Sequence, residues 1–220
     1  FLYTSALVLG YCSLGATMGR NAVQKMGMYR IWIIKSLIVL IALCVGLAIA
    51  IVATKQFSAY KKYLQAVQLA ETQEYVQSEI FLKDTVKIFP SSTYYQSLSQ
   101  VQLAQAKKII NQSGDEQAVA VLIQQALFFN KEARLRAGLD YINWLICGDI
   151  YRTIVVMNKS EVAFDESIKC YDKAASLSQN NYLVLFKRAE VKFDSDDVLG
   201  AKNDLNNLLR DYNPNYQPAR

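Results

Sequence analysis

Histidine is absent from the 220 residues. That excludes a Ser-His-Asp triad, a Cys-His nucleophile pair and any His-ligated metal site. Three prolines and nine glycines are too few for a collagenous or low-complexity chain. The four cysteines include no CxxC spacing, so neither a zinc nor a dithiol signature is present. Phosphate-binding glycine loops, G-x-S-x-G and H-E-x-x-H are missing too. Residues 1–54 carry Arg20, Lys25, Arg30 and Lys35 and no acid, whereas residues 55–220 have a net charge of +1. The chain thus divides into an acid-free apolar part and a nearly neutral mixed part. It opens on Phe1 inside an apolar run, as expected of a piece of a longer chain.

The apolar part reads as membrane-spanning. Residues 31–54, IWIIKSLIVLIALCVGLAIAIVAT, contain one charge, Lys35. A helix of this length reaches across a hydrocarbon core of roughly 30 Å with some tilt. Lys35 can snorkel to the headgroups, and Tyr29 and Trp32 mark the same interface. Residues 1–18 are uncharged and form a shorter apolar stretch, in which Gly10 and Gly15 suit close helix packing. A cleaved signal peptide is the lesser alternative, since no basic region precedes the run. The expectation is a helix over 1–18, a basic loop over 19–30 and a second helix over 31–54. Cys12 and Cys44 then serve as small packing residues. A short, basic, acid-free loop stays cytoplasmic and would place residues 55–220 outside the cytoplasm. Lys55, Lys61 and Lys62 argue the other way.

The mixed part is helical in composition and repetitive. In residues 182–214, YLVLFKRAEVKFDSDDVLGAKNDLNNLLRDYNP, apolar or small residues fall at Leu185, Ala189, Ala201, Leu205 and Leu208. A polar break at 194–197 separates two amphipathic helices. The preceding stretch has Trp144, Gly148 and Tyr151, then Ser167, Tyr171 and Ala174 at i, i+4 and i+7. Ala201, Leu205 and Leu208 return at the same places after 34 residues. Looser units give Ser78, Leu82 and Thr85, and then either Val119, Ile123 and Ala126 or Ala126, Asn130 and Ala133. The last two choices differ by seven residues, two helical turns, which leaves the same face buried. The second unit is therefore expected to have lengthened helices. In the third, residues 155–164 read as a longer connection. The units are 57–92, 93–138, 139–181 and 182–214, with 215–220 opening a further repeat.

The W-x3-G-x2-Y spacing and the 34-residue return resemble the tetratricopeptide repeat, with Cys147 in place of the leucine of W-x2-L-G-x2-Y. The resemblance implies an all-α fold, a right-handed solenoid of helix hairpins. Trp144, Gly148, Tyr151, Tyr171, Ala174, Ala189, Ala201 and Leu205 become structural signature residues. Small residues let two helices of a hairpin approach, and bulky ones fill the seams between hairpins. Such arrays bind proteins or peptides on a concave face lined by the first helix of each pair. By offset from Trp144 that face comprises Leu145, Asp149 and Arg152; equivalent offsets select Phe186, Glu190 and Phe193, and Tyr94, Ser97 and Val101. Membrane helices followed by such repeats also resemble bacterial O-antigen ligases and polymerases with a tetratricopeptide tail. That resemblance implies an inner-membrane glycan transferase whose catalytic part would lie before Phe1.

Other chemistry is weakly signalled. Asp194, Asp196 and Asp197 lack the glycine and terminal glutamate of a calcium loop and read as a solvated turn. Cys147 and Cys170 lie on the two helices of one hairpin, where pairing is open. Basic and acidic residues interleave, which argues against nucleic acid. The expected partners are a protein or peptide and the lipid bilayer, with no cofactor and no metal. Three functions compete: a membrane-anchored scaffold, the non-catalytic tail of a glycan ligase, and an enzyme in its own right, the last disfavoured by the missing motifs.

Overall fold

A computed structural model describes the backbone of residues 2–112, 114–178 and 181–212, and the side chains of residues 35–112, 114–178 and 181–210. The expected repeat opening at 215–220 lies outside the described residues. All regular elements among them are helical: α1 (Leu2–Glu71), α2 (Tyr75–Ile88), α3 (Ser92–Gln112), α4 (Glu116–Arg136), α5 (Tyr141–Asn158), α6 (Glu161–Leu177), α7 (Tyr182–Asp194) and α8 (Val198–Asn207), closed by a π-helical turn at Leu208–Tyr212. The chain divides into two compact units, Phe1–Thr54 and Lys55–Arg220.

The first unit is helical backbone throughout its described length. This corrects the expectation of a loop over 19–30. The segment holds no proline, and its two glycines, Gly19 and Gly27, each cost a helix only about 1 kcal/mol relative to alanine. Charge marks those residues as polar; it does not break a helix. Residues 35–54 are exposed along their whole length. One stretch among the described residues, Lys35–Glu71, is long and apolar enough to cross a membrane, with a mean hydropathy of 3.0 in its best window. Cys44 is exposed and not packed as expected, because no second helix covers it among the described residues. The side chain of Cys12 lies outside them.

The second unit is a series of helix pairs. The end of α1 meets α2 through Ala66–Ser78 and Lys62–Asp84; α3 pairs with α4, α5 with α6 and α7 with α8, each pair packs on the next, and α3, α5 and α7 touch in turn. Connections of a few residues make partners antiparallel. The boundaries follow local chemistry. Asp115, Asp140, Ser160, Asn181 and Asp197 each accept a hydrogen bond from a first-turn N–H of the helix they precede. Pro90 follows α2, and Gln73, Lys159 and Asp196 take left-handed conformations at turns.

The buried residues of α2 are Ser78, Leu82 and Thr85. In α4 both alternative triplets are buried, because that helix is 21 residues long and all five residues share one face. α3 is equally long, so the second pair is the lengthened one. The third unit departs from expectation. Residues 155–164 extend α5 and begin α6, leaving only Lys159 and Ser160 between them. Val155 and Ala163 are buried in the same core cluster, so the additional residues continue two helix faces and do not form a loop.

Candidate functional site

The seams of the hairpins position everything else. In α5, Gly148 lies against the ring of Tyr171 from α6: a Cβ at 148 would fall 2.5 Å from a ring carbon. Tyr171 is fully buried, and its hydroxyl donates to Asp149 Oδ1 at 2.8 Å. Burial, then the Asp149 charge, pushes this phenol well above its ordinary pKa. Ser167 Oγ donates to the Gly148 carbonyl at 2.9 Å. The first pair repeats that bond, Ser78 Oγ to the Ala66 carbonyl at 2.7 Å. In the second it runs from α3 to α4, Ser99 Oγ to the Ala126 carbonyl at 2.9 Å. In the fourth pair Ala189 and Ala201 are buried and line one depression. The sulfurs of Cys147 and Cys170 are within bonding distance across the third seam, with Cα atoms 5.8 Å apart.

Of the remaining signature residues, Ala174 is fully buried, while Trp144, Tyr151 and Leu205 are half-buried. Trp144 Nε1 donates to the Gly138 carbonyl at 2.8 Å, and the Arg134 guanidinium lies 4.7 Å from its ring centre. The tryptophan thus ties α5 to the end of the preceding pair.

The nine residues expected on the concave face separate into three groups. Ser97 and Val101 line a depression of about 370 Å³ between the end of α1, the start of α2, and α3. Arg152, Phe186, Glu190 and Phe193 line another, of about 270 Å³, together with Ala189, Ala201 and Leu205. Phe186 and Phe193 therefore share a hollow with Ala189, Ala201 and Leu205 of the fourth pair. Phe193 is 63% exposed. The other three line neither depression, and of these the buried Tyr94 is a correction. Tyr94 is buried against Tyr63, with ring centres 5.1 Å apart, because the lengthened α3 starts close under α1. Leu145 is packed against the core around Tyr171 and Val184. Asp149 is held by the Tyr171 hydroxyl.

The expected orienting charges bind one another across α5 and α7. Arg152 Nε is 2.6 Å from Asp194 Oδ2 and its Nη1 is 2.7 Å from Glu190 Oε2, while Lys187 reaches Glu190 at 3.1 Å. Burial opposes the Arg152 charge, but these carboxylates outweigh it and raise its pKa. The cluster acts as a tie between hairpins.

Four residues of this face escaped the sequence reading: Tyr63, Tyr75, Lys107 and Lys108. The two lysines belong, with Tyr75 and Ala104, to a second depression of about 350 Å³. Continuing the Ser97–Val101 offset along α3 by i+3 and i+4 would have found them. Among the described residues no group of side chains could hold a metal ion.

No family model matches the chain, and no curated protein is similar to it. Among solved structures it is similar to a thermophilic tetratricopeptide-repeat protein of Thermus thermophilus, at 14% identity and a TM-score of 0.43, over 74% of this chain and 95% of that one.

Proposed function

We propose that residues 57–214 are a tetratricopeptide-type interaction scaffold, non-catalytic in themselves, held at a bacterial inner membrane by the apolar part of α1. The close-approach seams support the repeat reading: Ala66 meets Ser78, and Gly148 meets Ser167 and Tyr171, where the repeat pattern requires small residues, and Ala189 and Ala201 are buried at the corresponding places. The right-handed superhelix belongs to the same reading. The depressions on the first helices of the pairs suit a protein or peptide partner. The 0% buried, apolar stretch from Lys35 supports the bilayer as the other partner. The acid-free cluster Arg20, Lys25 and Arg30 supports an extracytoplasmic scaffold.

Crosslinking and pull-down from membranes test the scaffold. Proteins captured by the unmodified chain should be lost with Phe193→Ser and Ser97→Arg and kept with Lys202→Glu, which is exposed on α8. Identical captures with all four chains would rule the concave face out as the binding surface. A reporter fused after residue 213 that is active only in the cytoplasm would reverse the orientation.

A further inference from the structure

One face of α3 changes character along its length. At spacings of three and four it presents Ser97, Val101 and Ala104, then Lys107, Lys108 and Asn111. The first half faces Tyr63, Val67 and Ala70 of α1 across the apolar depression. The second half lines the neighbouring depression with Gln73 and Gln112 and with no acidic side chain. The two depressions share Tyr75 and Ala104, so they form one trough, apolar at one end and cationic and amide-lined at the other.

The lysines of the cationic end are not tied up by carboxylates. Among the described residues neither Lys107 nor Lys108 forms an ion pair; Lys108 lies 5.8 Å from the centre of the Tyr75 ring. The last turn of α3 holds no basic residue, so the attraction of a helix C-terminus for cations is weak at these lysines. It does not account for the position of Lys107. Although accessible to solvent, Lys107 sits among enough protein to be partly desolvated, and its pKa is lowered by that first. The Asp149 charge opposes that shift, the positive charges of Lys187 and Arg152 add to it, and Glu190 opposes it more weakly. Those two carboxylates are already bonded, to Tyr171 and to Arg152. A partly desolvated ammonium beside two other cations is a place where an incoming carboxylate gains more than it would on open surface.

The acid on the trough rim is Glu71, and it lines the apolar end. It sets a direction: a bound segment must keep its own acids away from Glu71 and toward Lys107.

Resting on the scaffold reading, we infer that this trough binds an extended peptide segment. One or two apolar side chains enter between Tyr63 and Val101, and side-chain carboxylates following them meet Lys107 and Lys108. The probe is a fluorescein-labelled, C-terminally amidated peptide, Gly-Leu-Phe-Ser-Glu-Asp-Glu, so that every carboxylate comes from a side chain. Anisotropy is read on the full chain in detergent micelles. Three companion peptides replace the acids by amides, the acids by lysines, or Leu-Phe by Ser-Ser. The acidic peptide should bind at least about tenfold more tightly than any companion, and added salt should weaken it. Lys107→Glu with Lys108→Glu should remove about tenfold or more of that affinity; Lys202→Glu should leave it unchanged. Circular dichroism melting confirms that the variants are folded. Equal binding of amide or lysine peptides, or indifference to the charge reversals, overturns the acidic partner and leaves the scaffold standing. No binding by any of the four peptides also overturns this inference, while the scaffold itself falls only if the groove variants change nothing in the membrane pull-down.

Discussion

The second and third hairpins solve the same packing problem with different chemistry. In α5–α6 the approach is made by removing a side chain: Gly148 leaves the space that Tyr171 fills, and the phenol finds Asp149. In α3–α4 it is made with polar groups. Ser99 Oγ donates to the Ala126 carbonyl at 2.9 Å and Ser92 Oγ to the Ala133 carbonyl at 3.0 Å; the network continues into α5, where Asn130 Nδ2 donates to the Asn143 carbonyl at 2.8 Å and Asn143 Nδ2 to Ser92 Oγ at 3.2 Å. Ser99, Asn130 and Asn143 are fully buried. Shape complementarity concentrates stability in one contact, whereas a hydrogen-bonded seam distributes it over several bonds worth about 1 kcal/mol each. Single substitutions should therefore hurt the third hairpin more than the second.

The sharpest test is Tyr171→Ala. It removes a wholly buried aromatic and strands Asp149, and should cost about 3–5 kcal/mol in urea unfolding of the chain in micelles. A loss no larger than that of Ser99→Ala would erase the contrast. Gly148→Ala comes next, at about 1–3 kcal/mol, because the ring must move to admit the Cβ. Ala189→Leu and Ala201→Leu should fall in the same range of about 1–3 kcal/mol by overpacking the fourth seam; unchanged urea midpoints would mean that these alanines do not sit in the close approach.

These differences also explain what could be read in advance. Trp144, Gly148 and Tyr151 are a spaced pattern of rare shapes, and the third hairpin was legible from them. The second was not, since Ser99, Gln102 and Asn130 look like surface in a sequence and are core in the fold. Its two competing registers were both right, a consequence of a helix long enough to bury both. The groove was legible as an offset but not as chemistry. Counting along the helix led to Ser97, Val101, Phe186 and Phe193, yet nothing in the count shows that Arg152 is bound by Glu190 and Asp194, or that Tyr94 lies beneath Tyr63. Such pairings join residues about forty positions apart or on different helices, beyond any local spacing.

Smaller effects refine the comparison. Ser99→Ala and Ser167→Ala should each cost about 1 kcal/mol, since each leaves one seam carbonyl with its helical bond alone. Equal losses would show that the hydroxyl works alike in both hairpins. The smallest signal is in acid. Burial would raise the pKa of Glu79, but hydrogen bonds from Lys83 and Gln105 and the Lys83 charge outweigh it and hold it below the ordinary 4.5. A group lowered in this way contributes stability above pH 4.5 that disappears as pH falls through its folded-state value. Thermal melts of Glu79→Gln should show a shallower decline than the unmodified chain below pH 4.5; parallel curves would remove Glu79 from the acid response.

The Arg152 cluster joins the third and fourth hairpins and lies within neither. In a stack whose stability is a sum of repeat terms and nearest-neighbour terms, it enters the nearest-neighbour term. Its bonds are ionic and only partly buried, unlike the apolar contacts within α5–α6, so salt weakens this coupling while leaving the hairpins themselves intact. The stack then loses cooperativity at one joint. Amide exchange in α7 and α8 would quicken with ionic strength while α5 and α6 stay protected, and the last hairpin would open as a separate foldon.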